Sequence, residues 1–215
     1  MPKVLTDEEI QCFRNRMCDH ALASFAKSGV EGISLRGLAA DLSCSRTTPY
    51  RYFKNKADIL AALRQREFAR IADTLEEALS LEPSLHNQLS ALCHAYFNFA
   101  LEYPDSYRVM YSVSQPDLSK YAALESQILR SSAPMRQVVK AAVSAGILKG
   151  DPIDICYVIW AGVHGLISLH LSHMLGEQRD ITRLASVMIS SLVRSVSVAP
   201  TASDSIPNLK QVNDI

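Results

Sequence analysis

The chain has 215 residues, with 22 basic and 22 acidic side chains, 48% hydrophobic content, 8 glycines and 9 prolines. This composition excludes collagen-like and disordered polymers and leaves enough apolar material for one extended or two small domains that fold unaided. Five widely spaced cysteines, Cys12, Cys18, Cys44, Cys93 and Cys156, form no Cys-x-x-Cys pair, which argues for reduced thiols rather than a disulfide framework.

The zero net charge hides an asymmetry. Residues 1–70 carry twelve basic and eight acidic side chains, a balance of +4, so the remainder is at −4. A basic N-terminal segment on an acidic body is an electrostatic footprint for phosphate. The start of the chain is too acidic at Thr6-Asp7-Glu8-Glu9 for a secretory signal.

In chain order, Thr6 with Glu9 forms a capping box ahead of a first helix. Ile10, Phe13, Met17, Cys18, Ala21 and Phe25 are its buried stripe, and Gly29 ends it. Ser34 caps a second, short helix whose Leu35, Leu38, Ala39 and Leu42 bury one face. Ser43-Cys44-Ser45 interrupts, and Arg46 to Phe53 follows as a third helix with hydroxyls and arginines on most faces. A polar helix beside a packed one is presented outward, which is the pattern of a helix-turn-helix DNA reader. Pro49 falls near the start of that third helix, where the lost bond is the first one, so a short, slightly distorted helix is expected. Thr48, preceding proline, is expected to leave the helical region.

Asn55 caps a long linking helix through Ile59, Leu60, Leu63, Phe68, Ile71 and Leu75, stopped by Pro83. The rest reads as helices: Leu85 to Tyr103, closed by Pro104; a short one with Tyr107, Met110 and Tyr111; one bracketed by Pro116 and Pro134; and one from Met135 to Ile147. Ile155 to Gly176 is long enough to span a membrane, but His164, His170, His173, Ser168, Ser172 and its glycines favour a buried soluble helix. Its stripe of Ala161, Gly165, Ser168 and Ser172 permits close helix approach. Ile181 to Val196 is the last helix, and residues 199–215 read as a flexible tail. No alternating strand run occurs, so the fold is all-α.

The segment SLRGLAADLSCSRTTPYRYFKNKADIL, with Ala21-Leu22-Ala23-Ser24-Phe25 and Gly29 upstream, resembles the DNA-binding part of tetracycline-repressor-type (TetR family) transcriptional regulators. The chain departs from the usual family turn, which has Gly and a small aliphatic residue where Ser43 and Cys44 stand. Trp160-Ala161-Gly162-Val163-His164-Gly165 resembles the signature of the WHG-type C-terminal subgroup. The resemblance implies a helix-turn-helix domain over residues 6–55, a linking helix over 56–81 and an effector-binding and dimerisation domain over 82–198. It implies a cytoplasmic homodimer joined by the last two helices. Such a dimer would be a repressor, released from a pseudo-palindromic operator by a small amphipathic or apolar effector.

For groove contacts the side-chain chemistry favours Arg46, Thr47, Thr48 and Arg51. Tyr50, Tyr52, Ser34, Arg36, Ser45 and Lys56 suit phosphates. Tyr96, Phe97, Tyr103, Met110, Tyr111, Trp160 and His164 are candidates to line an effector pocket in the body. No nucleotide, hydrolase or zinc-protease motif occurs, so no catalytic residue, cofactor or metal is assigned; His170 and His173 share a face without an evident third ligand. The alternative is a small-molecule-binding protein or enzyme whose N-terminal segment merely resembles a DNA reader.

Overall fold

The computed structural model describes residues 6–111, 116–176 and 179–198, without the side chain of His86. The tail from residue 199 onward lies outside the described residues. Eight α-helices are formed among those described, with no strand: α1 Asp7–Ser28, α2 Leu35–Asp41, α3 Lys56–Ser80, α4 Leu85–Glu102, α5 Pro104–Tyr111, α6 Ala122–Ser144, α7 Pro152–Leu171 and α8 Ile181–Val196.

Local chemistry sets most boundaries. The Thr6–Glu9 capping box closes at 2.9 and 3.2 Å, and the Ser34 hydroxyl accepts from the Gly37 amide at 3.0 Å. Asn55 accepts from the Asp58 amide at 3.0 Å. Asp151 and Asp180 cap α7 and α8 through their Oδ1 atoms. Pro104 does not merely close α4; its fixed φ opens α5 at the very next turn.

Two proline expectations fail. Pro134 does not separate two helices but lies inside α6, buried. Its ring costs the helix the donor for the Arg130 carbonyl. Burial of the ring offsets this, and the Ser131 and Ser132 hydroxyls satisfy the neighbouring carbonyls of Ile128 and Leu129 at 2.8 and 2.9 Å. At the other proline, the expected third α-helix is reduced to a single 3₁₀ turn, Pro49–Arg51. The run of amide bonds from Thr48 to Ser45, Arg51 to Thr48 and Tyr52 to Pro49 has i,i+3 spacing. Thr48 nevertheless stays helical, at φ −56° and ψ −49°. The hydroxyls of Thr47 and Thr48 both meet the Ser45 hydroxyl, at 3.0 and 2.8 Å, and this local cluster favours the tight turn over the extended conformation.

Two hydrophobic clusters organise the chain. One gathers Met17, Cys18, Ala21, Phe25, Leu35, Leu38, Leu42, Phe53, Ile59 and Leu63 around α1 to the start of α3. The other joins the rest of α3 to α4, α6, α7 and α8. Helix α3 therefore belongs to both. So does α5: Val109 is fully buried in the first cluster, while Tyr107 and Met110 are buried in the second. Arg64 of α3, itself 2% exposed, donates from Nε to the Val109 carbonyl at 2.9 Å, fastening α5 to the shared helix.

Helix α7 is long and apolar enough to cross a membrane, with mean hydropathy 1.5. The sequence predicts it to be buried; instead only Ile155, Ile159, Val163 and Ile167 are buried, and Ile153, Tyr157, Val158 and Leu169 are exposed. Its close approach to α8 is also not at the expected stripe. It is made at Gly162, where an added Cβ would stand 2.6 Å from a Leu192 methyl, whereas one at Gly165 would meet nothing within 4 Å.

Candidate nucleic-acid interface and effector cavity

The segment from Ser45 to Arg51 is held from below and free above. Pro49, Leu42 and Phe53 are buried beneath it. Arg14 of α1 clamps its exit, donating to the Tyr52 carbonyl at 2.7 Å with its guanidinium 4.3 Å over the Phe53 ring. Tyr52 packs on Phe13 at 4.5 Å between centroids, which makes it a strut more than an outward contact. Ser43 turns the chain out of α2 with φ of 51°, a left-handed conformation that glycine would adopt without strain.

Ser45, Arg46, Thr47, Tyr50 and Arg51 are exposed on this surface, with Thr48 half-buried. Ser34 and Arg36 are exposed at the start of α2, although the Ser34 hydroxyl is occupied as a cap. Lys56 pairs with Glu31 at 3.2 Å. The positive charge of the N-terminal segment divides by role. Arg64 is buried on the Val109 carbonyl, and the half-buried Arg66 is paired with Asp19 at 2.6 Å and Glu67 at 2.9 Å. Arg36, Arg46, Arg51 and Lys54 have no acidic partner among the described residues. Unpaired cations beside hydroxyl donors on a protruding turn can neutralise phosphates and reach base edges.

A cavity of about 820 Å³ lies between α3, α4, α6 and α7 and opens to solvent beside the exposed Leu129, Ile153 and Tyr157. Of the residues expected to line it, Tyr96, Tyr111 and Trp160 do. Phe97 and Met110 are core residues, at 1% and 0% exposure. Tyr103 lies elsewhere, under the Arg70 guanidinium at 3.5 Å and bonded to Glu102. His164 stands behind the wall, against Tyr107. The residues that sequence reasoning missed are wall aliphatics such as Ile71 and Leu92, and Arg136 and Lys140 of α6. An i,i+4 pair of cations on an otherwise apolar-faced helix was the available signal for the latter.

A hydrogen-bonded chain runs along one wall. Trp160 Nε1 donates to the Tyr96 hydroxyl at 2.9 Å, Tyr96 meets the Tyr107 hydroxyl at 3.1 Å, and Tyr107 meets His164 Nδ1. An indole can only donate, so Trp160 gives its proton to the Tyr96 oxygen, while either hydroxyl of the Tyr96–Tyr107 pair can donate to the other. Burial lowers the His164 pKa and so favours the neutral ring. Burial likewise holds Tyr96 and Tyr111 well above the ordinary phenol range.

Comparison with known proteins gives consistent matches. Residues 18–63 match the family profile described as bacterial regulatory proteins, tetR family. Residues 89–192 match the one described as tetracyclin repressor-like, C-terminal domain. The chain is 24% identical over 197 residues to the HTH-type transcriptional regulator Rv1816 of Mycobacterium tuberculosis, covering 75% of this chain and 78% of that one. A protein of unknown function from Rhodococcus sp. RHA1 shares the fold with TM-score 0.76 and 26% identity, over 86% of this chain and 95% of that chain. A TetR family transcription regulator from Marinobacter aquaeolei VT8 gives TM-score 0.69 at 17% identity, over 89% and 99% of the two chains.

Proposed function

The chain belongs to the TetR family of DNA-binding transcriptional regulators, and on that premise we propose that it works as a cytoplasmic homodimeric repressor released from a pseudo-palindromic operator by a small molecule. The observation that carries the DNA half is the protruding Ser45–Arg51 turn with its unpaired arginines. In this reading Arg46, Arg51, Thr47 and Thr48 enter the major groove, and Tyr50, Arg36 and Ser45 take phosphates. Ser34, Tyr52 and Lys56 contribute through the turn they support. Residues 6–55 act as the reading head, 56–81 as the link and 82–198 as the body.

A second copy is the natural cover for α7 and α8. Tyr157, Val158 and Leu169 are exposed on α7 and Val187 on α8, and Gly165, in the stripe with Ala161, Ser168 and Ser172, has open space beside it for a close neighbour. Four such helices form a bundle across a two-fold axis. Each head alone binds one half-site weakly, so the pair supplies the affinity.

The effector half rests on the cavity and on α5. Tyr111 lines the cavity, and Val109, two residues earlier, is buried in the head's own core. A ligand that displaces Tyr111 moves α5, and with it the Val109–Arg64 anchor on α3. The ligand then favours a spacing of the two heads that misfits adjacent grooves, a population shift between two arrangements.

The test is titration of duplex DNA carrying a selected binding site at several salt concentrations. The log of affinity should fall linearly with log salt, with a slope of about −0.9 per phosphate neutralised. A slope near zero would return the protein to the rival class of small-molecule binders without a DNA role.

A further inference from the structure

The cavity's lining also indicates what kind of molecule enters it, an inference that rests on the effector reading above. Its depth is apolar, walled by Phe68, Ile71, Leu75, Leu92 and Val163. Several neutral polar groups on its wall are already engaged. Ser131 and Ser132 donate to carbonyls of their own helix. The Trp160 N–H is taken by Tyr96, and Tyr96 is taken by Tyr107.

The charge on the wall is a pair of cations. Arg136 and Lys140 are the only charged side chains among the described residues lining the cavity, and no carboxylate lines it. They stand four residues apart, on one face of α6, and both are exposed. Neither has an acidic partner among the described residues; Arg136 makes one bond, to the Leu129 carbonyl at 3.2 Å, leaving most of its fork unused. The contrast on the same helix is informative. Arg130 is held by both Asp73 and Glu76, so α6 meets acids where its charge is neutralised within the chain. Asp151, whose charge is felt together with that of Arg136 at Cys156, is committed to the N-terminus of α7 at 2.8 and 3.1 Å. Two like charges one turn apart repel each other, and an anion between them relieves that repulsion.

We infer that the cavity binds an amphiphile with an apolar body and one anionic head, a long-chain carboxylate, whose body fills the space toward Phe68 and Leu92 and whose head is gripped by Arg136 and Lys140. The volume, about 820 Å³, suits a molecule of this size class.

Trp160 is the sole tryptophan and lines the cavity, so its fluorescence reports occupancy without a label. The probes are dodecanoate, dodecanol and dodecylammonium, used below their micelle-forming concentrations. Dodecanoate should bind at least about tenfold tighter than the alcohol, and the ammonium weakest. In the double variant Arg136→Gln, Lys140→Gln, the carboxylate should fall to the level of the alcohol while alcohol binding stays unchanged, which also shows that the cavity is intact. Equal binding of acid and alcohol, a preference that survives the double substitution, or no binding by dodecanoate would overturn the inference. Duplex affinity measured in parallel separates the two layers. A carboxylate preference with no effect on DNA binding keeps the ligand class and removes the effector role. Release of DNA by alcohol and acid alike keeps the effector role and removes the ligand class.

Discussion

The reading head and the body place their chemistry in opposite ways. In the head, Arg46, Thr47, Tyr50 and Arg51 stand in solvent on a turn with little core of its own. In the body, neighbouring rings among Tyr96, Tyr107, Tyr111, Trp160 and His164 pack with centroids 4.9–6.5 Å apart, and hydrogen bonds link Trp160 to Tyr96, Tyr96 to Tyr107 and Tyr107 to His164. Chemistry that is displayed costs little stability when removed; chemistry that is enclosed is part of what holds the fold.

The difference is sharpest in the arginines. Replacing Arg46 and Arg51 together by alanine should weaken duplex binding by about 100-fold or more, since each bidentate guanine contact contributes about 1–3 kcal/mol. The same double variant should unfold in denaturant within about 0.5 kcal/mol of the parent, as exposed unpaired side chains do. A large loss of stability would break the comparison from the head's side.

On the body's side, Tyr96→Phe removes the oxygen that accepts from Trp160 and contacts Tyr107. It should destabilise the fold by about 1–2 kcal/mol in urea melts and shift Trp160 emission, with DNA contacts untouched. An unchanged melt and spectrum would mean that the chain of bonds has no structural weight.

Smaller still is the turn. Ser43→Gly relieves the left-handed strain at φ 51° and should raise stability by about 1 kcal/mol or less, because glycine loses more entropy on folding. A fall in melting temperature would show that Ser43 makes a contribution beyond its backbone angle.

The smallest effect is set by pH. The folded pKa of His164 lies below its unfolded value, so the neutral ring contributes stability above the unfolded pKa near 6.5. As pH falls below that value the unfolded chain takes up the proton first, and stability declines toward the folded pKa. His164→Gln should flatten that decline between pH 7 and 5; an unaltered slope would remove His164 from the account.

The same contrast decides what the sequence disclosed. The helices with capping side chains at Thr6, Ser34 and Asn55 were legible because a local side-chain cap defines each start. The exposure of Arg46, Thr47, Tyr50 and Arg51 was legible because hydroxyls and arginines on a short segment have no use in a core. Pro134 misled because a proline's local penalty is visible while the tertiary burial that offsets it is not. Thr48 misled for a related reason: the rule for residues before proline is outweighed by hydroxyl bonds to Ser45 that only the folded turn reveals. In the body, Phe97 and Tyr96 are both aromatic residues on α4, and nothing local says that one is core and the other lines a cavity. Val109 carries no local sign that it crosses into the head's core.

The account depends on two heads reading one duplex together. Binding sites selected from random DNA, combined with the mass of the protein–DNA complex, test this directly. The expected result is a pseudo-palindrome with half-sites one helical turn, about 34 Å, or a multiple apart, occupied by an even number of chains. A single unrepeated half-site bound by one chain at full affinity would contradict it.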